Sequence, residues 1–308
     1  MAGRGVPAEV TRVAAVDLGT NTTRLLVADV DDGRVDEVSL RQRITRLGEG
    51  VHKRRRLLPL PIARVRNVLT DFRREAESLG AERVLAVATS AVRDAENGEA
   101  FLGEIEWSYG FTTRLLSGTE EAALTLQGVG DVADGTLVLD VGGGSTELIT
   151  SERAVSLDIG SVRLTELFGE DVDGIAESVR PLLPDFAPSA AIGVSGTVTS
   201  LAALELGLDE YDRERVHGHV LSLGAVEEQL ARLASMPLED RTRLPALDPG
   251  RAPVIVAGAT IVREVLRRYG LDSLRASERD LLHGVALAAA ELPEPAQGDA
   301  PPGAYTCC

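Results

Sequence analysis

One pattern occurs twice in this 308-residue chain, and it constrains the fold more than any other feature. The segment Asp17-Leu18-Gly19-Thr20-Asn21-Thr22-Thr23-Arg24-Leu25-Leu26 aligns with Asp140-Val141-Gly142-Gly143-Gly144-Ser145-Thr146-Glu147-Leu148-Ile149. In each copy an apolar run ends in Asp, crosses a turn of Gly, Thr or Ser, and returns through apolar residues. That is the signature of a strand, a tight turn and a second strand. Two unrelated units of this common kind would read the same way. A duplicated domain with two facing turns is the sharper reading, because the similarity recurs at a long period.

The rest of the chain fits around these two cycles. Strands are expected over 24–30 and 34–44, with Asp31-Asp32-Gly33 between them, and over 84–88 and 112–116. Helical spacing covers 62–79, ending at Gly80, and a helix begins over 120–128. In the second cycle, 137–141 and 146–150 are strands, and 191–194 and 254–256 are short strands before Gly-bearing turns. Aromatic residues make up only 3% of the chain. The core must therefore be built from Ala, Val, Leu and Ile, which suits layered α/β structure. Residues up to about Val10 read as a flexible lead, and 292–308, rich in Pro, Gly and Ala, as a disordered tail.

A turn rich in Gly, Ser and Thr leaves backbone N–H groups free to bind phosphate oxygens, and glycine lets the ligand approach closely. Two such turns across a cleft would grip one phosphate from both sides. Asp17 and Asp140 stand where strand gives way to turn and would repel a bare phosphate. A hard cation such as Mg²⁺ removes that conflict, and Glu147 could join it. The plainer reading of each acid is a turn cap. Arg93, after the strand 84–88, could clamp phosphate through its fork or simply pair with Asp94 or Glu96. Thr197 lies in Val194-Ser195-Gly196-Thr197, a strand-to-helix corner that could hold another phosphate. On spacing alone, Glu120 and Glu121 read as first-turn helix acids.

The formal net charge of −16 argues against a broad nucleic-acid-binding face. The basic run Lys53-Arg54-Arg55-Arg56 is either a solvated loop or a guide for an anionic chain. The only cysteines, Cys307 and Cys308, exclude an internal disulfide framework and are expected to form a dispensable, oxidisable end. No run of about 18 apolar residues suggests a membrane span, and a cytoplasmic setting is expected.

Several segments together resemble the exopolyphosphatase / guanosine-pentaphosphate phosphohydrolase (Ppx/GppA) family. They are Ala14-Ala15-Val16-Asp17-Leu18-Gly19-Thr20-Asn21, Thr45-Arg46-Leu47-Gly48-Glu49-Gly50-Val51, Ala88-Thr89-Ser90-Ala91-Val92-Arg93-Asp94-Ala95 and Leu116-Ser117-Gly118-Thr119-Glu120-Glu121-Ala122. Asp140 to Leu148, Gly160-Ser161-Val162-Arg163-Leu164-Thr165-Glu166 and Val194-Ser195-Gly196-Thr197 continue the match in order. The resemblance implies two RNase H-like domains of the actin-like ATPase superfamily flanking a cleft, placed here at 1–124 and 125–291. It implies Mg²⁺-dependent hydrolysis, with Mn²⁺ as the alternative, and Glu121 as the general base. It assigns metal contacts to Asp140 and Glu147, beside Asp17 from the turn argument. Phosphate contacts fall to Asn21, Arg93 and Gly143-Gly144-Ser145, beside Gly19, Thr20 and Thr197.

The implied substrate is inorganic polyphosphate, losing its terminal phosphate; guanosine pentaphosphate is the alternative, and a homodimer is expected by analogy. Longer members of the family carry a C-terminal helical domain with a His-Asp pair. This chain has no His-Asp dipeptide, so the short two-domain form is expected. Two rivals remain. A kinase of the same superfamily would use Val256-Ala257-Gly258-Ala259 as an adenosine loop, and an alarmone sensor would bind without catalysis.

Overall fold

The computed structural model describes residues 10–293. The lead before Val10, the tail from residue 294 and the Cys307-Cys308 end lie outside the described residues. The first lobe contains β1 (Thr11–Leu18), β2 (Thr22–Asp31), β3 (Arg34–Ile44), β4 (Arg83–Ala88) and β5 (Thr112–Leu115). Its helices are α1 (Val51–Arg54), α2 (Pro59–Ser78), α3 (Ser90–Arg93), α4 (Gly98–Tyr109) and α5 (Gly118–Val129). The second lobe contains β6 (Thr136–Val141), β7 (Thr146–Ile149), β8 (Ala154–Leu157), β9 (Ala190–Val194), β10 (Val220–Ser222) and β11 (Ser273–Ala276). The helices around it are α6 (Ser161–Phe168), α7 (Val172–Val179), α8 (Ser195–Glu205), α9 (Arg213–Val216), α10 (Leu223–Ser235), α11 (Leu238–Arg241) and α12 (Ile255–Tyr269), and α13 (Leu281–Ala290) closes the described chain.

The duplication read from the sequence is present in the sheet order. The first sheet runs β3-β2-β1-β4-β5 and the second β10-β11-β9-β6-β7-β8. With the edge strand β10 set aside, β8-β7-β6-β9-β11 repeats β3-β2-β1-β4-β5. The pairing repeats as well: β1–β2 and β6–β7 are antiparallel, while β1–β4 and β6–β9 are parallel. Asp17 pairs in register with Arg24 in the first lobe, and Asp140 with Glu147 in the second. This is a two-lobed α/β architecture with its central strands buried on both faces. Those strands accordingly read as continuous apolar runs rather than alternating ones.

Two sequence expectations change. Val254 to Val256 do not form a strand; they lead into α12. A short apolar run cannot be assigned by periodicity, and here every residue over 255–262 is buried, so the first two turns of α12 imitate a strand. This also places Val256-Ala257-Gly258-Ala259 inside a packed helix, where a Cβ on Gly258 would meet Thr197 Oγ1 at 2.8 Å. The second change concerns α13, assigned by the expected division to the second domain. Its Leu281, Leu282, Val285, Ala286 and Ala289 share one buried cluster with Val13, Ala15, Leu26, Leu85 and Val87 of the first sheet. Burial of each large apolar side chain there stabilises by about 1.5–3 kcal/mol, and that gain returns the chain to the first lobe.

Candidate active site

Both repeated turns are closed by the same bond. Gly19 N–H donates to Thr22 O at 3.0 Å, and Gly142 N–H donates to Ser145 O at 3.0 Å. Among the described residues, the N–H groups of Thr20, Asn21, Gly143 and Gly144 find no acceptor in the protein. Such a run of free amides is what an anion requires. The turns face one another closely: a Cβ on Gly143 would lie 3.0 Å from Thr20 Cβ and 3.2 Å from Asn21 N. A Cβ on Gly144 would lie 2.9 Å from Thr20 Oγ1 and 3.0 Å from Ser90 Cβ.

Between them lies a cavity of about 90 Å³. On a scale where one water takes about 10–15 Å³, it has room for roughly six water-sized groups. Asp17, Gly19, Thr20, Asn21, Glu121, Asp140, Gly143, Gly144, Ser145 and Thr197 all line it. Arg93 and Glu147 stand just behind this lining. Arg93 donates to Leu116 O at 2.8 Å and to Glu121 Oε2 at 3.2 Å, so its partner is neither Asp94 nor Glu96. Glu147 is 1% exposed and accepts from Ser156 Oγ at 2.7 Å.

The two adjacent acids of α5 separate cleanly. Glu120 caps the helix: its carboxylate takes the Ser117 N–H at 2.8 Å, while Ser117 Oγ accepts from Glu120 N–H at 3.2 Å. Glu121, one residue later, turns inward and is 6% exposed. Burial raises its pKa to about 8, opposed by Arg93 and reinforced by Asp140 and Asp17. Asp140 is raised to about 6, again first by burial, with the Ser195 hydroxyl bonded to its Oδ1 at 2.5 Å working against the shift. Glu147 is pushed well above the ordinary range by burial and then by Glu121 and Asp140. Carboxylates crowded into a dry cleft resist ionising together.

The first lobe is charge-balanced where the second is not. Arg24 donates to Asp17 Oδ2 at 2.8 Å and also holds Asp280 at the start of α13. Asp280 is buried yet lies well below the ordinary carboxylate range, because Arg24 and His283 outweigh its desolvation. Asp17 Oδ1 and Asn21 Oδ1 remain buried without a hydrogen-bond partner.

These features fit a divalent cation of the magnesium type. The second lobe opposes Asp140 to Glu147 with no arginine between them, and an orphaned carboxylate oxygen lies nearby. Among the described residues no three His, Cys, Asp or Glu side chains form a ready-made cation cage. Mg²⁺ needs none, since it is commonly held by one or two carboxylates, substrate phosphates and its own waters.

Arg24, Gln42, Ser195 and Arg251 are among the lining residues to which the sequence assigns no role of their own. Ser195 has φ 64, a left-handed backbone uncommon outside glycine, and this aims its hydroxyl at Asp140. Arg251 lies over Gly196, where a Cβ would collide with its guanidinium. It also lines an adjoining cavity of about 480 Å³, with Leu40, Tyr211, Leu247 and Leu282 among the walls. The basic run 53–56 is exposed and lies outside both cavities. No described helix is long and apolar enough to cross a membrane.

Comparison with known proteins agrees with this geometry. The chain is 38% identical to Exopolyphosphatase 2 of Mycobacterium tuberculosis, over 91% of this chain and 99% of that one. It superposes on the crystal structure of an exopolyphosphatase-like protein with a TM-score of 0.85 at 34% identity, covering 91% of this chain and 98% of the other. It superposes on the Aquifex aeolicus Ppx/GppA family member with a TM-score of 0.77 at 31% identity, covering 92% and 98%. The profile of the Ppx/GppA phosphatase family matches residues 26–292, and the chain belongs to that family.

Proposed function

We propose that this protein is an exopolyphosphatase that hydrolyses the terminal phosphoanhydride of inorganic polyphosphate and releases orthophosphate. One observation carries the reading: both phosphate turns and the buried Glu121 line a single cavity. The 38% identity to an exopolyphosphatase supports the substrate class.

In this reading the terminal phosphate lies between the free amides of the Thr20–Asn21 and Gly143–Gly144 turns. Glu121 accepts a proton from a water aligned with the terminal phosphorus. The water oxygen bonds to phosphorus, the bridging P–O bond breaks, and the shortened chain leaves with that oxygen. The amides and Arg251 stabilise charge on the transferring group and the leaving chain. Arg93, bonded to Glu121, favours its ionised form and fixes its direction. Asp140 and Asp17 are the acids that would hold Mg²⁺, with Glu147 behind Asp140. Bound there, the ion would neutralise charge on the phosphoryl oxygens. We assign the lobes as 10–129 with 281–290, and 136–276.

A second substrate, guanosine pentaphosphate, is favoured by the adjoining cavity, whose volume and mixed walls, with Leu40, Tyr211 and Leu247 beside Arg213 and Arg251, suit a nucleoside carrying phosphate. Phosphate release measured with polyphosphate of several lengths, guanosine pentaphosphate and ATP tests both readings. Polyphosphate should be cleaved and ATP spared. Release from ATP alone would refute the assignment.

A further inference from the structure

Segment 160–166 contributes nothing to the cavity lining beyond Ser161, yet α6 is tied closely to the second phosphate turn. The Ser161 N–H donates to Gly142 O at 3.0 Å, and the Val162 and Arg163 N–H groups donate to Gly143 O at 2.8 and 3.1 Å. The approach leaves no room for a side chain: a Cβ on Gly160 would lie 2.5 Å from Gly143 C and 2.6 Å from Gly144 C. The turn and the helix therefore move as one body.

From this body two side chains reach the first lobe. Arg163 Nε donates to Gly144 O at 2.8 Å, while its Nη2 donates to Asp94 Oδ2 at 2.5 Å and Nη1 lies 3.2 Å from His52 Nδ1. Glu166, one turn further along, accepts the Gly50 N–H at 2.8 Å. Both landing points belong to segments that shape the site. Gly48, beside Gly50, donates its N–H to Thr20 O in the first turn at 2.8 Å. Asp94 directly follows Arg93, which holds Glu121. The Arg163–Asp94 pair has only 10% and 18% of its side-chain surfaces exposed.

We propose that Arg163 is a positioning residue. Its guanidinium joins the Gly144 carbonyl to Asp94 and so sets the second phosphate turn against the Arg93–Glu121 pair. It touches neither the phosphate nor the attacking water. The fork is required, because one planar group serves a carbonyl and a carboxylate at once, and a lysine ammonium lacks that geometry. A shift of about 1 Å in a catalytic group costs on the order of 10²-fold in rate. The effect should therefore fall on turnover more than on substrate capture. The kinetic part of this inference rests on the hydrolase reading.

The test uses the full chain with Arg163→Met, Arg163→Lys, Asp94→Asn and the Arg163→Met/Asp94→Asn double variant, and Arg66→Met as a surface control. With polyphosphate, kcat should fall by about 10- to 100-fold in each single variant, with KM changed by less than about threefold. Lysine should not rescue. The double variant should be no worse than the poorer single, since both remove one linkage. Arg66→Met should match the unaltered protein. Unchanged kcat in Asp94→Asn, or losses that multiply in the double variant, would overturn the proposal.

Amide hydrogen exchange without substrate provides a reading independent of activity. In Arg163→Met and Asp94→Asn, exchange should rise at Val92, Arg93 and Asp94, whose N–H groups are bonded to Thr89 O and Ser90 O, while β1 and β6 stay protected. Unchanged exchange at these amides would overturn the linkage even if the unaltered protein proved inactive on every phosphoanhydride. Should Arg163→Met fail to fold, the milder Asp94→Asn still decides the matter.

Discussion

Glu147 stands opposite Asp140 across the β6–β7 ladder, in the place where the first lobe sets Arg24 opposite Asp17. The repeated sheet order gives two equivalent strand pairs, and the charge at one position, Arg24 in one and Glu147 in the other, makes them different. The first lobe neutralises its own aspartate. The second leaves two buried acids without a counter-charge, a local conflict that cation binding would relieve.

If that conflict is real, removing one acid should stabilise the metal-free protein and weaken its response to metal. Glu147→Gln and Asp140→Asn should each raise the metal-free Tm. Millimolar Mg²⁺ should raise the Tm of the unaltered protein and have little effect on Asp140→Asn, because a ligand stabilises only the state that binds it. Equal Mg²⁺ shifts in the two proteins would remove Asp140 from the cation site.

Stability should fall with pH in the absence of metal. Glu121 is raised from 4.5 to about 8 by burial. Across that interval the unfolded chain has already released a proton that the folded chain retains. The folded state binds more protons there, so unfolding free energy decreases as pH rises. Its contribution is fully present below pH 4.5 and lost through pH 8, and Asp140, raised to about 6, adds the same sign at lower pH. Urea midpoints in chelator should decline from pH 5 to pH 8, and Glu121→Gln should flatten the decline. An unchanged slope in that variant would contradict the placement of Glu121.

The contact between the two turns predicts a purely steric effect at Gly144. Its backbone is not in the left-handed region, so alanine imposes no conformational penalty. The added methyl would instead press on Thr20 and Ser90 and part the turns. Gly144→Ala should lower kcat/KM by about 10²-fold while circular dichroism and Tm stay close to those of the parent. Retained activity would mean that the turns need not meet.

The return of α13 predicts a stability effect far from the chemistry. Leu282 is 1% exposed against the first sheet. Leu282→Ala should cost about 2–5 kcal/mol in urea unfolding. A cost below about 1 kcal/mol would show that α13 adds little to the first lobe.

Much of this arrangement is written locally in the sequence. The two turns follow from repeated strand-Asp-Gly patterns, and β3 runs over 34–44 as expected after the Asp31-Asp32-Gly33 turn. Glu121 was less accessible. Spacing makes it a first-turn acid like Glu120, and only the family resemblance separated them; the inward direction comes from how α5 docks. The rest depends on contacts distant in sequence. Arg24 holds Asp280, 256 residues away, and Ser195 reaches Asp140, 55 away. Val254 to Val256 imitate a strand because the first two turns of α12 are buried on every side, and the polar stripe that marks the helix begins only at Arg263.

If Glu121 activates water against a phosphate gripped by both turns, its loss stops hydrolysis and spares binding. The decisive measurement is orthophosphate release from polyphosphate by Glu121→Gln, paired with equilibrium binding of the same polyphosphate. Binding should persist while release falls by about 10²- to 10⁴-fold. Release at the rate of the unaltered protein would contradict the account.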